Sequence, residues 1–192
     1  MRLFICLNSG NATFANPLIK VIGPGVSALA GADFNGDGKI DIATATSGAF
    51  IHISVGIGNG DFVAPVPYSI GSQGGATDMV IEDFNRDGHL DIASSNFWES
   101  TTMSILFGNG NGTFQPAVIL PSAYSPDLLN VSGITAGDVD NDGDKDIMVG
   151  NNASNCISLY TNDNGTFRYS MRVGGYSGVF SPFFADFTGD GK

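Results

Sequence analysis

Asp33-Phe34-Asn35-Gly36-Asp37-Gly38-Lys39-Ile40-Asp41-Ile42-Ala43 decides the fold of this chain because it recurs. It returns as Asp83-Phe84-Asn85-Arg86-Asp87-Gly88-His89-Leu90-Asp91-Ile92-Ala93, and again as Asp138-Val139-Asp140-Asn141-Asp142-Gly143-Asp144-Lys145-Asp146-Ile147-Met148. A fourth copy, Asp186-Phe187-Thr188-Gly189-Asp190-Gly191-Lys192, reaches the last residue given. The starts are 50, 55 and 48 residues apart, and periods of this size mark repeat architectures.

A second marker keeps the same rhythm. Gly58-Asn59-Gly60-Asp61-Phe62, Gly110-Asn111-Gly112-Thr113-Phe114 and Asp163-Asn164-Gly165-Thr166-Phe167 are Gly/Asn turns ending on Phe, preceded by the related Gly10-Asn11-Ala12-Thr13-Phe14. Each unit then reads as four strands. In the first full unit they fall near 28–33, 40–46, 50–56 and 62–70, with the Asp-rich loop joining the first pair and the Gly/Asn turn the last. A four-stranded sheet repeated every ~50 residues predicts an all-β fold, a β-propeller of four-stranded blades. About 3.5 blades are expected: two closing strands over 1–26, blades over 27–75, 76–130 and 131–177, and an opening strand with a partial loop over 178–192. Closed propellers need about four to eight blades. The reading is therefore of a fragment of a closed propeller of roughly seven or eight blades, or of a homo-oligomer that completes one.

The loops follow Asp-x-Asn/Asp-x-Asp-Gly-x-x-Asp. A hard cation such as calcium takes six to eight oxygens, and a tightly curled loop can turn the side chains at positions 1, 3, 5 and 9 inward, with the carbonyl of position 7. Glycine at position 6 permits the turn. The expected ligands are Asp33, Asn35, Asp37, Lys39 (carbonyl) and Asp41; then Asp83, Asn85, Asp87, His89 (carbonyl) and Asp91. In the third loop they are Asp138, Asp140, Asp142, Asp144 (carbonyl) and Asp146, and in the partial loop Asp186, Thr188 and Asp190. An EF-hand would need Glu at position twelve, where Thr44, Ser94 and Val149 stand, and its flanking helices are missing from the pattern. Zinc is disfavoured because no Cys or His side chain joins the set.

Composition agrees. Only 14% of residues are charged, yet the net charge is −11, and 13 of the 19 acidic residues lie in the four loops. Bound divalent cations would offset that charge. Eight scattered Lys and Arg exclude nucleic acid as an expected partner. No stretch reaches the ~20 apolar residues needed to span a bilayer, and Leu3–Leu7 aligns with Met103–Phe107 as strand material rather than a targeting sequence. Cys6 aligns with Leu106 and Leu159, and Cys156 with Met103, so both read as unbridged apolar strand residues. His52 and His89 carry no nucleophile motif, and no catalytic residue is expected.

The loops, together with Phe107-Gly-Asn-Gly-Asn-Gly-Thr-Phe114, resemble the FG-GAP/VCBS repeats, a family that includes the seven-bladed propeller of integrin α chains. The resemblance implies a secreted or cell-surface, calcium-stabilised propeller that binds an extracellular glycan or protein ligand. An accessory propeller of a secreted polysaccharide-degrading enzyme and a purely structural array are the alternatives. Trp98, in the 96–100 connection, is the candidate ligand-stacking aromatic.

Overall fold

A computed structural model describes residues 2–21, 25–71, 74–96, 102–121, 131–151, 155–174 and 181–185. Every regular element among them is a strand: β1 (Arg2–Ile5), β2 (Asn8–Gly10), β3 (Thr13–Phe14), β4 (Leu18–Val21), β5 (Val26–Ala32), β6 (Asp41–Thr46), β7 (Phe50–Ser54), β8 (Gly56–Gly58) and β9 (Asp61–Phe62). They continue as β10 (Val66–Ser69), β11 (Ala76–Glu82), β12 (Asp91–Asn96), β13 (Thr102–Leu106), β14 (Val118–Pro121), β15 (Val131–Gly137), β16 (Asp146–Asn151), β17 (Cys156–Asp163) and β18 (Thr166–Gly174).

Three antiparallel sheets of four strands follow one another, in the orders β10-β7-β6-β5, β11-β12-β13-β14 and β15-β16-β17-β18. Before them stand the pair β1-β4 and the small hairpin β2-β3, which repeat the outer half of the first sheet with its hairpin β8-β9. This succession is consistent with propeller blades. Asn59-Gly60 and Asn164-Gly165 each hold two consecutive positive φ values, as a type I′ hairpin turn requires.

Two sequence expectations shift in detail. The closing strand of the first sheet is not continuous over 62–70 but splits into β9 and β10, because Pro65 between them has no amide to offer a ladder. A register shift at Gly56/Gly58 likewise turns the hairpin into its own ladder. Cys156 does not occupy the Met103 slot. Met103 faces Ser95, whereas in the third sheet Ile157 faces Gly150, because the third hairpin is one residue shorter. Asn162 meets Asp146 where Gly108 meets Asp91, yet Phe167 follows Asn162 by five residues and Phe114 follows Gly108 by six. Both thiols are free, with Cys6 exposed and Cys156 buried.

The sheets stack face to face, and this sets the side-chain pattern. The second strand of each sheet is covered on both faces, so β12 is buried throughout and β6 nearly so. On one face Ala43, Ala45, Ile51 and Ile53 meet Ile92, Leu106 and Phe114 of the second sheet. The same positions one sheet later, Ala93, Met103 and Ile105, meet Ile147, Val149 and Tyr160 of the third. The opening strands β5, β11 and β15 are linked in turn: Ser27 Oγ donates to the Ala76 carbonyl (2.5 Å) and Thr77 Oγ1 to the Val131 carbonyl (3.1 Å). Gly75, between the first two sheets, passes so close to the Thr46 carbonyl that a Cβ would stand 1.8 Å from it. The opposite face of the first sheet borders a groove of about 430 Å³, lined by Thr44, Thr46, His52 and Ser54 together with Lys20 and Val21 of β4.

The two sequence markers also meet across sheets. Phe34, at position 2 of the first loop, packs edge-on against Phe114 of the second hairpin, with centroids 5.3 Å apart. Phe84 and Phe167 repeat this at 5.5 Å. The backbone adds Gly112 N to the Phe34 carbonyl (3.1 Å), and Asn162 Nδ2 reaches the Phe84 carbonyl (2.8 Å). The second and third hairpins therefore each seat on the Asp-rich loop of the sheet before them. Phe84 is fully buried, so Phe84→Ala should cost about 3–5 kcal/mol, read as a lowered urea midpoint. A double-mutant cycle with Phe167→Ala should return an aromatic coupling of about 1 kcal/mol.

Candidate metal centre

The loops are curled by their own carboxylates. Asp33 Oδ1 accepts the amides of Gly36 (2.8 Å) and Asp37 (3.1 Å), and its Oδ2 accepts Gly38 N (2.7 Å). Asp83 takes Asp87 N and Gly88 N in the same way, and Asp138 Oδ2 takes Gly143 N at 3.0 Å. Side chains at positions 3 and 5 cap the amides two residues on, as Asn35 Oδ1 does for Asp37 N and Asp37 Oδ1 for Lys39 N. Such Asx turns are why these residue types suit the loop. Position 6 is left-handed in all three copies, at φ +81° to +89° for Gly38, Gly88 and Gly143. Position 4 is left-handed too, although it holds Gly36, Arg86 and Asn141 at φ +72°, +55° and +62°.

Position 9 does something the spacing alone does not reveal. Asp41 is fully buried, and its two oxygens accept one amide each: Oδ2 from Phe34 (3.0 Å) and Oδ1 from Gly56 (2.7 Å). Asp91 does the same for Phe84 (2.9 Å) and Gly108 (2.8 Å), and Asp146 for Val139 (2.8 Å) and Asn162 (2.9 Å). One side chain thus ties the start of the loop, the second strand and the hairpin together. The donors Gly56 and Gly108 lie against the carbonyls of Ile40 and Leu90, where a Cβ would stand 2.2 and 2.3 Å away. These residues escaped the sequence reading, although glycine just before both Gly/Asn turns was the available signal. Burial pushes the Asp91 carboxyl up to about 6 against the pull of the Gly108 and Phe84 amides, with Asp87 and Asp83 adding to the rise. Burial also raises Asp146.

In the third loop the structure brings one oxygen each of the expected ligands Asp138, Asp140 and Asp146 within 4.8 Å of one another. Among the described residues no other acidic cluster is this tight. Asn35 and Asn85 replace a carboxylate at position 3 of the other loops, and Lys39 Nζ holds Asp37 Oδ2 at 3.0 Å. That hydrogen bond keeps the Asp37 carboxyl below its usual range. Asp138 Oδ1 is buried without a hydrogen-bond partner. An all-oxygen, strongly anionic set with an unsatisfied inward carboxylate oxygen fits a hard divalent cation. The His89 ring lies over Gly110, where an added Cβ would be 2.3 Å away, so its side chain serves the hairpin. The Asp144 carboxylate is likewise engaged elsewhere, paired with Arg86 Nε at 2.6 Å. Asp186, Thr188, Asp190 and Trp98 lie outside the described residues.

Gly108→Ala should destabilise by roughly 2–4 kcal/mol, because its methyl would strike backbone rather than a movable side chain. The buried Asp91 accepts two amides, so Asp91→Asn should cost about 1–3 kcal/mol, since an amide can serve only one of them. The folded carboxyl titrates above its unfolded value. In chelator, the stability it contributes is therefore fully present below about pH 4 and lost as pH rises through about 6. Thermal melts from pH 4 to 7 should show that fall, and Asp91→Asn should remove this component.

Comparison with curated proteins finds none that matches. A family model described as FG-GAP-like repeat matches residues 33–94, 96–149 and 138–192, each match containing at least one of the Asp-rich loops. The matches span most of the chain and run across the repeated sheets: the chain belongs to the FG-GAP-like repeat family.

Proposed function

We propose that the chain is a calcium-stabilised β-propeller segment of an extracytoplasmic protein, a non-enzymatic module that binds a carbohydrate or protein ligand. The observation that carries the calcium reading is the third loop, with three carboxylate oxygens within 4.8 Å and Asp138 Oδ1 buried without a partner. Asp138, Asp140, Asp142 and Asp146 would hold the ion there, and the corresponding side chains would do so in the first two loops. A bound cation would neutralise like charges that otherwise repel across a few ångströms.

The role assigned to calcium is structural. The position-9 carboxylates already anchor backbone on both oxygens, and the loop faces a neighbouring hairpin rather than an open cleft. A cation clamped there would fix the joint between successive sheets. Membership of the repeat family supports the extracytoplasmic setting, where calcium at about 10⁻³ M suits modules that bind at about 10⁻⁴–10⁻³ M.

The test is a pair of thermal melts. With three sites of that affinity, 10 mM calcium should stabilise by about 1.4–2.7 kcal/mol per filled site relative to chelator. That corresponds to a midpoint rise on the order of 10 °C for a chain of this size. An unchanged midpoint would refute the calcium role. Retention of the chain on glycan or matrix-protein arrays checks the ligand class, and uniform lack of retention would count against a binding module.

A further inference from the structure

We infer that Arg86 couples the second and third cation sites, acting as a positioning residue that makes filling of one loop favour filling of the other. The inference rests on the calcium reading above and adds a property of this chain's own residues.

Arg86 sits at position 4 of the second loop, between the ligand positions Asn85 and Asp87, yet its side chain belongs to the third loop. Its Nη2 donates to the Asp142 carbonyl at 2.9 Å, and its Nε pairs with Asp144 Oδ1 at 2.6 Å. Between these contacts the guanidinium lies against Gly143, where a Cβ would stand 2.6 Å from Nη2. Asp144 is buried, and its Oδ2 accepts the Asn164 amide (3.1 Å), so the grip extends to the third hairpin. One side chain thus fixes the half of the third loop running from Asp142 through Asp144, on either side of the turn glycine.

The grip depends on the conformation of the second loop. Arg86 is held at φ +55°, a left-handed setting that Gly36 and Asn141 occupy at the same position. An arginine there is sterically disfavoured and persists only where its surroundings impose the conformation. In the second loop the Asp83 carboxylate does so through Asp87 N and Gly88 N. A cation gathering Asn85 and Asp87 would fix the residues flanking Arg86 and hold its side chain on course for the third loop. By linkage, a cation in the third loop must favour the second equally. Gly36, the equivalent residue of the first loop, has no side chain with which to reach the second. The first and second sites should therefore be independent, which gives an internal control.

Arg86 has two opposed effects on the third site: its charge repels a cation while its contacts order the loop. Affinity alone is therefore a poor readout, and linkage is the right one. Calcium titrations of the full chain, followed by the amide resonances of Gly38, Gly88 and Gly143, report the three loops separately. Disabling the second loop with Asp83→Asn and Asp87→Asn should weaken the third site about 3–10-fold and leave the first unchanged. In the R86Q background the same pair of substitutions should leave the third site unchanged. R86K keeps the charge but not the forked contact, and should lose most of the coupling.

A third site indifferent to the second loop in the native background would overturn the inference. So would an equal loss in the R86Q background, or full coupling in R86K. Absence of calcium-dependent shifts at all three glycines would instead overturn the calcium reading itself, so the two failures are distinguishable.

Discussion

Two amides on one buried carboxylate hold the repeat together. A buried aspartate is costly unless its charge is met, and here each oxygen is met by backbone from a different part of the unit. Asp41, Asp91 and Asp146 stand where the second strand leaves its loop, and they draw in both the loop's first turn and the hairpin that closes the sheet. Without them the loop would be an insertion between two strands. With them it becomes part of the sheet's edge, and the neighbouring hairpin has a fixed surface to sit on.

That surface explains why the two motifs travel together in the sequence. The aromatic at position 2 of a loop, Phe34 or Phe84, belongs energetically to the next unit, where Phe114 or Phe167 meets its edge. A cation in the loop would act on the same joint as the aromatic pair above it. The charged loops and the apolar cores are therefore parts of one packing scheme, in which each sheet is finished by its successor. Val139 takes the place of Phe34 and Phe84 in the third loop and is exposed.

Much of this was legible from the residues alone. The period of the Asp-rich stretch and of the Phe-terminated turns announced repeated four-stranded units, because both features place strict demands on backbone shape. Strand limits near the hairpins were less legible. Pro65 and the shorter third hairpin act through ladder geometry, which a motif alignment treats as fixed. The amide-accepting role of position 9 was also hidden, since a liganding and an amide-accepting aspartate look alike in sequence. Arg86 was the hardest to read. At a position where glycine and asparagine stand elsewhere it resembles a neutral substitution, and only the fold shows that its side chain crosses to another sheet.

The seating of each hairpin on the preceding loop also gives assembly a direction. Phe34 must wait for Phe114, about eighty residues further along, and Phe84 waits as long for Phe167. A chain delivered N-terminus first would form each sheet locally and leave its loop unfinished until the next sheet arrived. Growth of the array would then advance one joint at a time, always trailing delivery by a single unit. The loop placed last is then the one left open to solvent.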